Sequence, residues 1–347
     1  MLSRLFRRRE KATYTASFQP AGASIAVRER QRLLDAALDQ GLDFPHSCRV
    51  GGCGTCKCRI VKGEVKEHTD SSYLLSAEEI ACGMVLACQS TPLSDIKVEV
   101  TGLRLESSVP PLVETQASVV SVEALTHDIK RLSVECKKPV SYLAGQYASL
   151  SAPGVGPRSY SFSQGPAQRE SERHLRFDIR ILEGGQFSQW LDQHAAEGSS
   201  IELAGPRGSF HLRASGAPIV AVAGGTGLGP ILSILEELDA SAVARDVVVL
   251  FGARSERDLY GLEELEALKR SFPARLEVWP VLSAQYDGWS GRTGMVTEHL
   301  NDVPRLGEHH AYLCGPPAMI DAALPILEGA GISEIFFDKF LDTSVKT

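Results

Sequence analysis

The sequence has no run approaching the roughly 20 apolar residues that a membrane-spanning helix needs, and its opening, MLSRLFRRREK, lacks the apolar core of a signal peptide. Positive charge is not in excess either. Lys and Arg total 36 against 43 Asp and Glu, so a net charge of −7 gives nucleic acid no global field to bind. Internal repeats and low-complexity tracts are missing, which argues against a fibrous or disordered chain. A soluble cytoplasmic protein is therefore expected, a monomer with no nucleic-acid partner and no membrane span. In a reducing compartment eight cysteines do not imply a disulfide framework, so their spacing reads as metal or catalytic chemistry. The one basic run, Arg4, Arg7, Arg8, Arg9 and Lys11 against Glu10, carries about +4 and reads as a solvated tail that could touch an anionic surface.

At 347 residues the chain has room for two or three domains of about 100–200 residues each. Residues 12–102 show short strands (TYTASF, SIAVRE, CRIVKGEV, IKVEV) around one amphipathic helix, RLLDAALDQG, stopped by Gly41. That is an α+β module, β-grasp-like in its element order. Residues 103–113, beginning LRLESSVPP, read as a linker, because polar residues and prolines stand where a core pattern would continue. Residues 114–214 carry six alternating segments (ASVVSVEAL, IKRLSVEC, YASLSAP, SYSFS, LRFDIRIL, SIELAG), the spacing of an antiparallel β-barrel. One helix, FSQWLDQHAAEG, interrupts them and is expected to close at Gly198. Residues 215–347 change rhythm to buried strand then helix, as in PIVAVAG followed by PILSILEELDA, which means a parallel α/β sheet covered on both faces.

Five of the cysteines fall between residues 48 and 82. The loop CRVGGCGTCKC places Cys48, Cys53 and Cys56 at C-x4-C-x2-C, and Cys88 follows after 31 residues, the plant-type [2Fe–2S] spacing. Three thiolates must wrap one cluster from a single loop while a fourth arrives from elsewhere. Gly51, Gly52 and Gly54 suit a loop that needs positive φ and amides turned toward sulfur. A structural zinc site would use paired C-x2-C knuckles, of which only one is convincing. Cys58 and Cys82 are extra to the pattern; both read as packing thiols, with Cys82 a possible substitute for Cys88 as fourth ligand. With its FPHSC lead-in and LACQ tail, this stretch resembles the plant-type ferredoxin family over about 90 residues.

The strand RSYS (residues 158–161) and the helix start GGQFS (residues 184–188) are weak signals singly. Together with AGQYASL before and GPRGSF after, they resemble the flavin signature of the ferredoxin-NADP reductase family. The resemblance implies that Arg158 pairs with a flavin pyrophosphate, Tyr160 stacks on the isoalloxazine and Ser161 bonds near its reactive nitrogen. It also implies that Gly185, Gln186 and Ser188 offer amides and a hydroxyl to the phosphates at a helix N-terminus. A helix available for a second phosphate favours FAD over FMN.

GGTGLGP, at residues 224–230, follows a buried strand and opens a helix, the context in which glycine amides cradle a pyrophosphate. Gly224, Gly225, Thr226, Gly227 and Gly229 are its candidate contacts, and tight turning alone is the alternative reading of the glycines. CGPPAM, at residues 314–319, repeats the strand-to-helix context; by resemblance Cys314, Gly315 and Pro316 line the nicotinamide pocket, and a core thiol is the alternative for Cys314. The ending FFDKF matches the tail of reductases in this group, implying Phe340 over the flavin and Asp338 near the reaction centre with Ser161 and Cys314. Phe336 reads equally as packing. In FGARSERDLY, Glu256 could accept from a ribose hydroxyl while Arg254, Ser255 and Arg257 could hold a 2′-phosphate. The resemblance tips the expectation to NADH, with NADPH possible.

Ferredoxin module, flavin barrel and nicotinamide domain in this order resemble the reductase components of bacterial multicomponent oxygenases. The resemblance implies electron flow from NAD(P)H through FAD to a [2Fe–2S] cluster and on to a terminal oxygenase or its ferredoxin. A stand-alone reductase of a small substrate such as a sugar nucleotide, and a pure electron-storage module, are the rival classes.

Overall fold

The computed structural model describes residues 12–105, 110–241, 243–284 and 288–340; the basic run from Arg4 to Lys11 and part of the expected linker lie outside them. The chain divides into two compact units, Met1–Val109 and Pro110–Thr347. No helix among the described residues is long and apolar enough to cross a membrane.

In the first unit, strands β1 (Thr13–Gln19), β2 (Ser24–Arg28), β3 (Lys57–Lys62), β5 (Met84–Leu86) and β7 (Ile96–Glu99) form one sheet in the order β2-β1-β7-β3-β5. β1 and β7 are parallel and the other neighbours antiparallel, the mixed sheet of a β-grasp. The helix α1 (Leu33–Asp39) buries Leu33, Leu34, Ala36 and Ala37 in this unit's core. The expected strand CRIVKGEV is broken in two: at Gly63, φ +95°, a Cβ would stand 2.3 Å from the Asp95 carbonyl oxygen, and β4 (Val65–Glu67) turns away to pair with β6 (Ser90–Pro92). A second helix, α2 (Ala77–Ala81), joins the one that was expected. Its signal was the Ser76-x-x-Glu79 capping box, which closes in both directions. Leu103 is buried in this core and Arg104 pairs with Asp43, so the end of the unit is tied down through Arg104.

The second unit holds two sheets. β8 (Val113–Ala124), β9 (Ile129–Cys136), β10 (Tyr147–Ala152), β11 (Val155–Ser161), β12 (His174–Arg180) and β13 (Ser200–Arg207) run antiparallel in the order β11-β10-β13-β8-β9-β12. A bridge between Phe162 and Phe177 joins the two ends, so the sheet curls toward a barrel around Phe162, Phe177 and Phe187. The helix α3 (Gln186–Gln193) stops at His194 rather than at Gly198; the Gly198 amide donates to the Val119 carbonyl and turns the chain into β13 instead.

The other sheet is parallel: β14 (Ile219–Gly224), β15 (Val247–Ala253), β16 (Leu276–Leu282), β17 (Arg292–Thr293), β18 (His310–Gly315) and β19 (Ile335–Lys339), in the order β17-β16-β15-β14-β18-β19. Helices α4 (Leu228–Ser241), α5 (Leu262–Ser271) and α6 (Pro317–Gly329) connect the strands. One apolar cluster holds α4 residues with Tyr312 and Cys314, another holds α6 residues with Val222 and Leu313, so both faces are covered. β16 contains Pro280, which stands opposite Phe251 of β15 and outside the Val281–Leu282 stretch that pairs with β17, so on the β17 side there is no ladder bond for its missing N–H to break. Strand order reverses between β14 and β18, the place where open parallel sheets take ligands.

Candidate functional site

Cys48, Cys53 and Cys56 lie on the loop between α1 and β3, and Cys88 lies in the short 3-10 turn after β5. Cys53, Cys56 and Cys88 are buried. The thiols meet as two pairs. Cys48 bonds to Cys53, which pushes the Cys48 thiol up and pulls Cys53 down to about 5. Cys56 bonds to Cys88 in the same way, raising Cys56 and lowering Cys88. The amides of Val50 and Gly52 point at Cys48, the latter at 3.2 Å, that of Thr55 at Cys53, and that of Gly51 at Cys88. Gly51 (φ +85°) and Gly54 (φ +73°) make this geometry possible, and a Cβ at Gly51 would press on Gln89 at 2.9 Å.

This donor set suits two irons better than one. A tetrahedral zinc needs all its sulfurs within about 4 Å of one another. Among the described residues the only set of three or more ligand atoms within 4.8 Å of each other is His127, Asp128 and Asp258, none of them cysteine. Those two carboxylates are already engaged, Asp128 by Arg180 at 3.1 Å and Asp258 by Ser255. Two thiol pairs under inward amides fit a [2Fe–2S] cluster, whose negative charge the amides favour. Cys58 is buried and pushed up to about 12 by that burial, while Cys82 caps α2 in solvent.

On the curled sheet, β11 carries Arg158, Tyr160 and Ser161 and pairs only with β10, Ser161 opposite Tyr147 and Arg158 opposite Leu150. Tyr160 rests on Phe187 of α3, ring centroids 5.2 Å apart, and burial raises its phenol. α3 begins at Gly185 with no side-chain cap, so the first-turn amides from Gln186 onward have no side-chain acceptor. Ser188 is spent on the loop itself: its hydroxyl donates to the Gly185 carbonyl and accepts from the Leu182 amide, both at 3.1 Å. An arginine, an aromatic ring on the same strand and an open helix N-terminus fit a flavin carrying two phosphates.

The glycines at the strand-order reversal serve mutual approach. A Cβ at Gly227 would meet the Cys314 carbonyl oxygen at 2.0 Å, one at Gly224 would meet Pro316 and Met319 at 2.8 Å, and one at Gly315 would meet the Gly224 backbone at 3.0 Å. The two loops therefore interlock, and Thr226 lies in the short turn that leads into α4. Gly229 faces Ser163, and Gly225 (φ +56°) faces the guanidinium of Arg180, a residue on β12 that sequence reading missed. Cys314 is fully buried; burial first, then the charge of Asp338, pushes its thiol well above the ordinary range. Asp338 stands opposite Cys314 across β18 and β19, and the Phe340 amide donates to Gly315. Phe336 packs on Tyr312 with centroids 5.0 Å apart. Arg254, Ser255, Arg257 and Asp258 line a pocket of about 240 Å³ with His127, Asp128 and Arg180; Glu256 is exposed beside it.

A thiol-rich β-grasp unit followed by a curled flavin-type sheet and a parallel dinucleotide-type sheet defines a flavin iron–sulfur oxidoreductase. A 2Fe-2S iron-sulfur cluster binding domain matches residues 17–93, an oxidoreductase FAD-binding domain residues 116–212 and an oxidoreductase NAD-binding domain residues 221–324. The chain is 39% identical to the xylene/toluene monooxygenase electron transfer component of Pseudomonas putida, covering 94% of this chain and 93% of that one. It is 35% identical to the reductase component of the naphthalene 1,2-dioxygenase system of Pseudomonas putida, over 93% and 97% of the two chains. The crystal structure of an Amycolatopsis cytochrome P450 reductase superposes with TM-score 0.79 at 33% identity, over 94% of this chain and 99% of that one. The chain belongs to the family of NAD(P)H-dependent reductase components of oxygenase systems, with FAD, NAD(H) and a [2Fe–2S] cluster as its redox groups.

Proposed function

We propose that this protein takes electrons from NADH and delivers them singly to an aromatic-hydrocarbon oxygenase or its ferredoxin, acting in the cytoplasm as a single chain. Bound FAD supplies the exchange between a two-electron hydride donor and a one-electron cluster. In this reading the α3 amides and Arg158 hold the flavin phosphates, Tyr160 backs its ring, and Ser161 donates a hydrogen bond at its reactive edge. The interlocked loops at Gly224–Gly229 and Cys314–Pro316 seat the dinucleotide. Cys314 keeps its proton, so the hydride-donating ring meets a neutral thiol, and Phe340 keeps water from the reacting face. Asp338 orients Cys314 from the neighbouring strand. Cys48 with Cys53, and Cys56 with Cys88, hold one iron each.

NADH is favoured over NADPH because the Ser255 hydroxyl, one of the candidate 2′-phosphate contacts, is committed to Asp258 at 2.5 Å; Arg254 and Arg257 in the same pocket keep NADPH as the second candidate. The hydrocarbon substrate class is supported by the oxygenase systems that the relatives serve. One observation carries the reading: four thiols set as two pairs under backbone amides, on the same chain as a strand-order reversal where two glycine-bearing loops meet. Anaerobic titration with NADH, followed by visible absorbance and low-temperature electron paramagnetic resonance, tests it. Flavin bleaching with a reduced [2Fe–2S] signal is expected; bleaching without that signal would overturn the path to the cluster.

A further inference from the structure

Two arginine–carboxylate links join the flavin and nicotinamide sheets of the second unit, and the more buried arginine of the two is Arg131. Arg131 on β9 has a side chain only 10% exposed, and it grips Asp178 of β12 with two parallel bonds, Nε to Oδ1 at 2.8 Å and Nη2 to Oδ2 at 3.0 Å. The Asp178 carboxylate is fully buried and also accepts from the Ser163 hydroxyl at 3.1 Å. The remaining arm of the same guanidinium crosses to the other sheet, where Nη1 donates to Glu264 Oε1 in the first turn of α5 at 2.5 Å.

What this pair touches gives it a functional position. Ser163 follows Ser161 by two residues along the chain, and Asp178 precedes Arg180 by two along β12, so Asp178 braces both strands that carry cofactor-facing candidates. Gly229, in the first turn after the glycine loop, packs on Ser163 and Asp178, where a Cβ would come within 3.1 and 3.8 Å. Glu264 follows the Ser255–Asp258 turn that lines the pocket. A second link lies on α4, where Glu236 pairs with Arg176 at 3.2 Å and accepts the Gly165 amide at 2.5 Å. Two arginine–carboxylate links on two different helices restrain the rotation that either alone would leave free. Burying such pairs gains little stability by itself, because desolvation offsets the attraction, but a forked guanidinium dictates direction.

We infer that Arg131 is a positioning residue for hydride transfer, holding through Glu264 the orientation of the nicotinamide-binding sheet against the flavin-binding sheet. The inference rests on the function proposed above. The step concerned moves a hydride from the dihydronicotinamide to the flavin, oxidising one and reducing the other, with solvent supplying the proton that completes flavin reduction; Arg131 and Glu264 keep their own protons throughout.

The test uses the holoenzyme with Glu264→Gln, and with Arg131→Lys, which keeps the charge but loses the fork. Anaerobic stopped-flow with NADH and 4-deuterated NADH gives the limiting rate of flavin reduction. The long-wavelength charge-transfer absorbance of NAD+ with reduced flavin, and calorimetric binding of ADP-ribose, serve as independent readouts. Misorientation of the reacting rings predicts a limiting rate lower by about 10- to 100-fold and a weakened charge-transfer band in both variants, with ADP-ribose affinity and flavin content nearly unchanged. Wild-type rate and band in Glu264→Gln, even with a lowered melting temperature, would show a purely structural link and overturn the inference. Should Glu264→Gln fail to fold, Glu264→Asp, one methylene short of Arg131, answers the same question. Failure of NADH to bleach the flavin of the wild-type protein would instead overturn the function on which the inference rests.

Discussion

Gly227 stands so close to Cys314 that a Cβ on the glycine would lie 2.0 Å from the cysteine carbonyl oxygen. Nothing flexible is available to yield there, since the obstruction is backbone at the buried C-terminal end of β18. Gly227→Ala must therefore separate the two loops, at a cost of about 1–3 kcal/mol or more. Thermal unfolding of the second unit should shift down and NADH-driven flavin reduction should fall, while cluster absorbance from the first unit persists. Gly225→Ala meets only the flexible end of Arg180 and a positive φ, so its effect should be smaller.

Cys53 is the thiol with the lowest proton affinity of its pair and accepts from Cys48. Cys53→Ser should abolish the cluster's visible absorbance and its reduced paramagnetic signal. Reduction of ferricyanide by NADH should continue through the flavin, whereas transfer to one-electron protein acceptors such as cytochrome c should stop. Undiminished cytochrome c reduction would contradict an electron path through this loop.

For Cys314 the sign of the pH dependence follows from burial. Its thiol is held above the ordinary value of 9.0 in the folded chain, so the unfolded chain ionises first. The folded state is favoured below that value, and this contribution declines as pH rises through it toward the folded pKa. Alkaline denaturation should begin earlier in the wild type than in Cys314→Ala, compared as change in melting temperature between pH 8 and about 10. In the same variant the limiting rate of flavin reduction should fall with FAD retained. A normal rate would reduce Cys314 to a packing residue.

Ser188 closes the turn before α3 by accepting from Leu182 and donating to Gly185. Ser188→Ala leaves the Leu182 amide without that partner in a partly exposed turn, a loss of about 0.5–1.5 kcal/mol. FAD should dissociate more readily, measured as flavin released on dilution. Ser188→Thr, which can keep both bonds, should restore much of the affinity.

The cysteine loop, the strand bearing Arg158, Tyr160 and Ser161 and the glycine loops stood out as candidates along the chain because each is a local device. Cys48, Cys53 and Cys56 fall on one short loop, as sharing a cluster would require, and Gly51 and Gly54 take the positive φ angles that loop needs. The strand-then-helix rhythm after Pro218 likewise announces a parallel sheet, since strands buried on both faces must be apolar throughout. Patterning was less informative where one residue breaks it, as at Pro280 in β16, or where a five-residue helix depends on its cap, as in α2.

By itself, then, the sequence determined the iron–sulfur cysteine spacing and the order of the modules, because ligand spacing and hydrophobic period are properties of neighbouring residues; the flavin and nicotinamide were implied by family resemblance. Tertiary structure alone decided which thiols pair, separating Cys88 from the exposed Cys82, and which glycines serve contact between loops. It also decided that Arg131 meets Asp178 across 47 residues and Glu264 across 133. No periodicity reports such meetings, since two side chains that far apart become neighbours only when the sheets that carry them have packed.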